Sequence, residues 1–205
     1  AIARANLRVP ETYVNLDTAR VQDIGSQSIA PLLRLEPGQT FLDLCAAPGN
    51  KTAQALTAGV RAIACDIHLR RLEALKPLGI PLVALDGTEP LPFRRRFDRI
   101  LIDAPCSGTG TLARNPEIKW RLQPGDLADL HARQVALLAQ GRQSLAPGGL
   151  LVYATCSLER EENEAVVATV PAALVLETMR RLPGRDPGDG FFAAVIRSVG
   201  TDLEA

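Results

Sequence analysis

The chain has 205 residues, 46% of them hydrophobic, and its 23 basic residues balance 23 acidic ones. This length suits one domain with a sizeable core and is too short for two comfortable domains. The balanced charge excludes a uniformly basic nucleic-acid-binding face, so any such surface must be a local patch.

The four cysteines are far apart, show no C-x-x-C spacing and are accompanied by only two histidines. A zinc or other metal site is therefore not expected. The sequence shows no secretory leader pattern and no apolar stretch long enough to cross a bilayer, which predicts a cytoplasmic protein with free thiols and no membrane partner.

The N-terminal residues carry little pattern, and we assign residues 1–21 to an extension and residues 22–205 to one folded domain. Residues 22–35 predict a helix that covers one edge of the sheet. From residue 40 onward, short apolar runs alternate with helical patterns, which predicts a parallel sheet with right-handed crossovers. The predicted strands of this part are 40–44, 61–65, 81–85 and 98–102, and the predicted helices begin near 51 and span 69–76.

The C-terminal half continues this pattern and then changes. Residues 128–145 predict a helix that a Pro-Gly-Gly stop ends before a strand at 150–153, and Ser157 can cap a helix over 159–170. The last two predicted strands, 173–177 and 191–199, are joined by a Pro/Gly-rich stretch too short for a crossover helix. They are therefore predicted to pair antiparallel.

The loop after the first predicted strand has the features of a ligand-binding loop. It reads DLCAAPGNKT from Asp43 to Thr52, and its small residues let backbone N–H groups approach a ligand carboxylate. It lacks the G-x-G-x-x-G pattern, so a nicotinamide cofactor is disfavoured. Lys51 lies in a first helical turn, where a cation is unfavourable, which indicates contact with a ligand or a carboxylate.

Aspartates end three further predicted strands. Asp66 is placed to accept hydrogen bonds from ribose hydroxyls, and Asp86 could accept from an adenine amino group. Any one of these residues could equally be an ordinary loop or helix cap. Three aspartates, each at the end of a predicted strand, favour a nucleoside-containing ligand at the carboxyl edge of the sheet.

One cysteine follows the last of these three strands, and another follows the strand predicted at 150–153. Cys106 lies in the run DAPCSGTG and Cys156 in the run TCS, so both thiols are expected at the carboxyl edge, where ligands bind in open α/β sheets. Two thiols in one cleft indicate covalent chemistry. A thiolate that adds to carbon 6 of cytosine activates carbon 5 for methylation, and Asp103 is placed to stabilise the charge that develops at ring nitrogen 3.

These motifs, together with GDGFF at residues 188–192, resemble those of the Sun-type RNA 5-methylcytosine methyltransferases, the family of the bacterial ribosomal RNA enzyme Fmu and the eukaryotic nucleolar proteins. The resemblance spans about residues 21–197. It implies a Rossmann-like class I methyltransferase domain: a mostly parallel seven-stranded sheet with helices on both faces and an antiparallel last strand. It also implies that Cys156 is the nucleophile and that Cys106 assists product release.

The resemblance further implies S-adenosylmethionine as cofactor, ribosomal or transfer RNA as partner, and a monomer. The expected catalytic residues are Cys156, Cys106 and Asp103. The expected cofactor-binding residues are Cys45, Ala46, Ala47, Pro48, Gly49, Asn50, Lys51, Asp66, Asp86 and Asp103.

Some features leave alternatives open. Asn50 replaces the glycine usual in the family, a mild change because asparagine tolerates left-handed geometry. Trp120 is expected in the core, with base stacking as the alternative. A DNA cytosine methyltransferase and a catalytically inactive RNA-binding scaffold are the other functional interpretations. The candidate RNA contacts, for which a solvated surface is at least as favoured, are Arg94, Arg95, Arg96, Arg114, Lys119 and Arg121.

Overall fold

The computed structural model describes residues 2–7, 10–123 and 125–198. Its main element is a seven-stranded sheet, preceded by a two-stranded hairpin. The strands are β1 (Val14–Asn15), β2 (Arg20–Val21), β3 (Thr40–Asp43), β4 (Arg61–Asp66), β5 (Leu82–Ala84), β6 (Phe97–Asp103), β7 (Leu145–Thr155), β8 (Val175–Arg181) and β9 (Phe191–Arg197).

The helices are mostly short. The α-helices are α1 (Ile2–Ala5), α2 (Ile24–Gln27), α3 (Asn50–Leu56), α4 (Leu69–Leu72), α5 (Ile118–Arg121), α6 (Asp126–Gln143) and α7 (Glu164–Val167). The 3-10 helices are Ala30–Leu33, Glu73–Leu78, Thr109–Thr111 and Ala172–Leu174.

The large sheet has the order β5-β4-β3-β6-β7-β9-β8. Strand β9 runs antiparallel to both of its neighbours, and the other strands are parallel to one another. The predicted class I methyltransferase sheet with an antiparallel last strand is therefore confirmed. Val199, the end of the predicted last strand, lies outside the described residues.

Successive residues of β6 alternate between two apolar layers, as the period of two in a strand requires. Ile100 and Ile102 pack in the layer that contains Leu137 of α6. Leu101 packs in the opposite layer with Leu33 of the first 3-10 helix. The sheet is thus covered by helices on both faces, and its carboxyl edge stays open.

Two predicted helices are interrupted by proline. The helix predicted over 22–35 is instead α2 followed by a separate 3-10 helix, and the predicted 69–76 helix tightens after α4 into 3-10 geometry. Pro31 and Pro77 lack an N–H donor, and their rings clash with the carbonyl four residues earlier. The first 3-10 helix also contacts the central strands β6 and β7, so the prediction that this segment covers a sheet edge is wrong.

The helix predicted over 159–170 is wrong over most of its length, because only Glu164–Val167 are helical. Glu162 and Asn163 are fully buried, and their side chains accept hydrogen bonds from Ser107 in the loop after β6 and from Thr155 at the end of β7, respectively. These contacts replace a first helical turn. The hydroxyl of Ser157 accepts from the N–H of Glu159 and caps only a turn.

Strand β7 begins earlier than predicted. Leu145 already pairs with Phe97, and the next pair of that ladder joins Leu150 to Arg99. The predicted stop sequence 146–149 therefore lies within the strand as an irregular insertion, where Gly148 adopts a φ of 73°. Such bulges bend a strand without ending it.

Candidate functional site

A cleft of about 410 Å³ lies at the carboxyl edge of the parallel strands. Of the predicted site residues, this cleft is lined by Cys45, Ala47, Asp66, Asp86, Asp103, Cys106 and Cys156. A smaller cavity of about 70 Å³ shares Cys45 and Asp103 with it and adds Ala46, Pro48, Asn50 and Lys51. Most of the predicted residues thus meet in one place, because the ends of parallel strands share one edge.

The loop between β3 and α3 has a shape that requires glycine at one position. Gly49 has a φ of 98°, and a Cβ atom on it would lie 2.7 Å from the Cγ of Leu75. Asn50 is the first residue of α3 and keeps a negative φ, so left-handed tolerance is not what this position needs. Its side-chain amide instead donates to the carbonyl of Val21, which ties the β1–β2 hairpin to the loop.

Lys51 and Asp103 form an ion pair between the two cavities. Lys51 Nζ donates to Asp103 Oδ2 at 2.6 Å and lies 5.3 Å from the ring centre of Phe191. Burial acts to lower the pKa of Lys51, but the charge and hydrogen bond of Asp103 outweigh it and raise that pKa. Lys51 is therefore a cation that holds Asp103 in place at the floor of the site.

Asp43 is a buried carboxylate with only partial compensation. Its Oδ2 accepts from the Thr52 hydroxyl at 2.7 Å, whereas Oδ1 is buried without a partner among the described residues. Burial raises the pKa of Asp43 to about 7, and the nearby charge of Asp103 acts in the same direction. This side chain lines the small cavity and can exchange a proton near neutral pH.

Asp66 and Asp86 also line the cleft and accept hydrogen bonds from the loops around them. Asp66 accepts from the backbone N–H groups of Ala47 at 3.3 Å and His68 at 2.9 Å. Asp86 Oδ1 accepts from the backbone N–H and hydroxyl of Thr88, which lowers the pKa of Asp86. Each carboxylate therefore caps a turn and keeps acceptor capacity for a ligand.

The two candidate catalytic thiols are in direct contact. Cys106 Sγ and Cys156 Sγ are 3.4 Å apart, and all four cysteines of the chain are free. The hydrogen bond to Cys156 is the main reason why the pKa of Cys106 is raised well above its usual value, and burial adds to it. Cys106 is thus held as a thiol beside Cys156.

Sequence reasoning missed several residues at this site. His68, Arg71 and Arg133 also line the cleft, and Arg71 donates to the carbonyl of Ala47 at 3.1 Å. The buried carboxylate of Glu162 joins the loops of the two cysteines. The only sequence signal for this role of Glu162 was the serine that follows the cysteine in both motifs, since both serine hydroxyls bond its carboxylate.

The candidate RNA contacts fall on different parts of the molecule. Arg114 is not free for RNA, because it pairs with Asp189 at 2.8 Å and with Asp23 at 3.1 Å. The exposed segment 94–96 precedes β6 and so lies at the amino edge of the sheet, opposite the thiols. Trp120 is 76% exposed, so the expectation of core packing is wrong.

Within ranges 2–7, 10–123 and 125–198, no cluster of three or more His, Cys, Asp or Glu side chains could hold a metal ion. In the same part of the chain, no helix combines the length and apolar character needed to cross a membrane.

The sheet order, the antiparallel β9 and the cleft at the carboxyl edge define a class I methyltransferase. A family model described as 16S rRNA methyltransferase RsmB/F matches residues 30–197, and the chain belongs to this family. Ribosomal RNA small subunit methyltransferase B of Salmonella arizonae is 40% identical over 195 residues, covering 85% of this chain and 46% of the relative. The chain therefore spans about half the length of the curated relatives it matches.

Solved structures of methyltransferases share this fold. A methyltransferase homologue from Pyrococcus horikoshii aligns with a TM-score of 0.76 and 29% identity over 90% of this chain and 70% of its own. NSun6 from the same organism, solved with SFG, aligns with a TM-score of 0.79 and 28% identity over 89% of this chain and 54% of its own. The N-methyltransferase NodS from Bradyrhizobium japonicum, at 17% identity and a TM-score of 0.58 over 84% of this chain and 86% of its own, shares the fold alone.

Proposed function

We propose that this chain transfers a methyl group from S-adenosylmethionine to carbon 5 of a cytosine in RNA through a covalent cysteine adduct. The observation that carries this proposal is the contact of two thiols at 3.4 Å beside a cleft lined by strand-end aspartates. A ribosomal RNA substrate accords with the family to which the chain belongs.

The residues of the site fit the proposed cofactor. The buried Oδ1 of Asp43 has no partner among the described residues and can receive a hydrogen bond from an ammonium group in the small cavity. Asp66 and Asp86, which line the large cleft, suit ribose hydroxyls and an adenine amino group. When bound, S-adenosylmethionine supplies an electrophilic methyl group on a sulfonium sulfur.

The chain's own residues would carry out the steps at the base. The Cys156 thiolate adds to carbon 6, which makes carbon 5 nucleophilic enough to take a methyl group. The carboxyl group of Asp103, held in place by Lys51, would stabilise the negative charge that develops at ring nitrogen 3 by donating a proton to that nitrogen, which requires Asp103 to carry a proton at this step. Loss of the carbon-5 proton to a base then expels Cys156 as thiolate, and we assign assistance in this release to Cys106.

We place the RNA-facing surface next to the thiols, at the exposed run Lys119, Trp120 and Arg121. This run follows Ile118, which is buried with its Cδ1 beside Gly108, two residues after Cys106. An exposed aromatic ring between two cations suits a stacked base and its flanking phosphates.

The domain assignment and location belong to the same proposal. We assign residues 22–205 to the methyltransferase domain and residues 1–21 to an extension that contacts it, since Arg114 donates to the carbonyl of Glu11. A cytoplasmic location accords with four free cysteines. We expect the protein to act as a monomer.

The experiment that tests this function separates the two thiols. With 16S ribosomal RNA transcribed in vitro and S-adenosylmethionine, Cys156→Ser should abolish both methylation and adduct, because a hydroxyl is a far poorer nucleophile than a thiolate. Cys106→Ser should still attack and methylate, then stall with RNA bonded to Cys156. The adduct appears as a band that survives a denaturing gel and disappears with RNase. Cys65→Ala, which removes a core thiol, should behave as the wild type.

Other results of this experiment would indicate a different mechanism or a different function. An adduct trapped by Cys156→Ser and lost in Cys106→Ser would exchange the roles of the thiols. Activity on a DNA copy of the sequence but not on RNA would identify a DNA methyltransferase. Failure to bind S-adenosylmethionine in calorimetry would identify an inactive scaffold.

A further inference from the structure

Glu162 is a carboxylate with no exposed surface and no ion-pair partner among the described residues. It is compensated by hydrogen bonds alone. Its Oε1 accepts from the Ser107 N–H at 2.8 Å and from Gln134 Nε2 at 3.0 Å. Its Oε2 accepts from the Ser107 hydroxyl at 2.5 Å and from the Ser157 hydroxyl. A buried charge is tolerated when donors surround it in this way.

These donors are placed directly beside the reactive sulfur atoms. Ser107 follows Cys106, and Ser157 follows Cys156, so one carboxylate binds the residue next to each thiol. The two hydroxyls also lie within 3.1 Å of each other. The loops after β6 and β7 are therefore joined through Glu162 at the level of the cysteines.

The Glu162 bridge, meaning its carboxylate bound to Ser107 and Ser157, is held in place by helix α6 and by strand β7. Gln134 of α6 donates to the carbonyl of Pro105, the residue before Cys106, as well as to Glu162. The Tyr153 hydroxyl of β7 donates to the backbone carbonyl of Glu162 at 2.6 Å. The carboxylate is thus fixed by the sheet and by a helix, and it cannot follow one cysteine loop without the other.

We propose that Glu162 is a positioning residue that sets the relative placement of Cys106 and Cys156. The geometry needed by the reaction is a Cys156 sulfur that attacks and a Cys106 thiol within hydrogen-bonding reach of it. Without the bridge, the loops keep other contacts, such as the bond from Gly110 N–H to the Cys156 carbonyl. The residues next to the two sulfur atoms, however, lose their shared partner, and the thiol contact at 3.4 Å loses a restraint. The catalytic consequence rests on the proposed function, whereas the geometric one does not.

The test uses the bridging hydroxyls, because an alanine at position 162 would leave buried donors unpaired and could prevent folding. A Ser107→Ala/Ser157→Ala variant of the full chain should lose about tenfold or more in kcat on the 16S transcript, since misplacement of reacting groups by about 1 Å can cost on the order of 100-fold. The dissociation constant of S-adenosylmethionine should stay within about twofold, because neither serine lines the cofactor cleft. Thr169→Ala removes a hydroxyl that bonds a backbone carbonyl elsewhere and serves as the matched control.

Glu162→Gln tests what the carboxylate contributes. A glutamine can accept from Ser107 N–H and Gln134 with its oxygen and donate to both hydroxyls with its amide, so Glu162→Gln should keep most of the wild-type turnover.

A readout without RNA keeps this proposal separate from the proposed function. Diamide oxidises two adjacent thiols to a disulfide and is reduced to its hydrazine, and mass spectrometry then measures the rate at which Cys106 and Cys156 are linked. The double serine variant should form this disulfide several times more slowly than the wild type and Thr169→Ala. Equal linking rates and equal kcat in the double variant would overturn the proposal. Slower linking in a protein inactive on RNA would sustain the positioning role and reject the methylation function instead.

Discussion

At the scale of single residues, the strand-end carboxylates differ in how their charge is compensated. Asp103 is paired with Lys51, whereas the fully buried Asp43 has a hydroxyl donor on Oδ2 and, among the described residues, no partner for Oδ1. Asp98, at the other end of the sheet, accepts from the N–H and hydroxyl of Thr40, which lowers its pKa. These differences predict opposite effects of pH on stability.

The raised pKa of Asp43, about 7, means that the folded protein favours its protonated form. This contribution to stability is complete below the unfolded pKa and is lost as pH rises through about 7. Relative to Asp43→Asn, the free energy of unfolding should therefore fall by up to about 1.4 kcal/mol per pH unit between about pH 5 and 6.5. Urea unfolding of both proteins across this range measures the slope.

Asp98→Asn is the control of opposite sign. Because the pKa of Asp98 is lowered, its stabilisation is present above the unfolded pKa and is lost only as pH falls below it. The difference between this variant and the wild type should be flat from pH 5 to 6.5, roughly one pH unit above that window. If the difference in unfolding free energy between the wild type and Asp43→Asn were also independent of pH, burial would not raise the pKa of Asp43 as assigned.

At the scale of secondary-structure elements, three loops meet at Gly110. Its N–H donates to the carbonyl of Cys156 at 2.9 Å, and its own carbonyl accepts from Gly190 N–H at 2.8 Å. A Cβ atom at this position would clash with the Gly190 oxygen and would lie 2.7 Å from the Cys156 oxygen. The ends of β6, β7 and the start of β9 can approach this closely only if the residue is glycine.

Gly110→Ala should therefore destabilise the protein by about 1–3 kcal/mol, the usual cost of overpacking. It should also move the Cys156 loop and reduce methyl transfer beyond the loss of folded protein. Thermal unfolding and turnover of the same preparation measure the two effects. Gly125→Ala is the matched control, since nothing lies within 4 Å of its added Cβ, and it should unfold like the wild type. Similar unfolding of the two variants would show that the loops can separate to accept a side chain.

At the scale of the whole molecule, the net charge is zero, yet two exposed basic segments lie at opposite edges of the sheet. They are residues 94–96 and the pair Lys119 and Arg121. Residues 94–96 precede β6, and the thiols follow it; a seven-residue strand places them about 20 Å apart. Lys119 and Arg121 belong to the segment that follows Cys106. If RNA reaches the thiols, the second segment should supply its contacts.

Charge reversal of Lys119 and Arg121 should then reduce the salt dependence of RNA binding, by about 0.7 in log K per log salt for each lost phosphate contact to a single strand. Trp120→Ala should weaken binding by about 1–3 kcal/mol with an unchanged salt slope, since stacking is not electrostatic. Fluorescence titration of the 16S transcript at several salt concentrations separates the two effects. Charge reversal of residues 94–96 is the control, and loss of slope there alone would move the RNA surface to the other edge.

Local pattern determined much of this protein. The alternation of apolar runs and helical segments predicted the parallel sheet, and the position of each aspartate and cysteine after a strand predicted that they would meet at one edge. Such features follow from short-range periodicity and from the rule that parallel strands share their carboxyl edge. They require no knowledge of which distant side chains touch.

Tertiary structure alone decided the rest. The carboxylate of Glu162 belongs to a sequence pattern typical of an exposed helical turn, yet it is buried because Ser107, 55 residues away, supplies two donors. Arg114 resembles a free cation in sequence, but it forms ion pairs with Asp23 and Asp189. Trp120 resembles a core residue, but it is 76% exposed. Burial and hydrogen-bond partners depend on contacts between distant parts of the chain, and local periodicity contains no information about those partners.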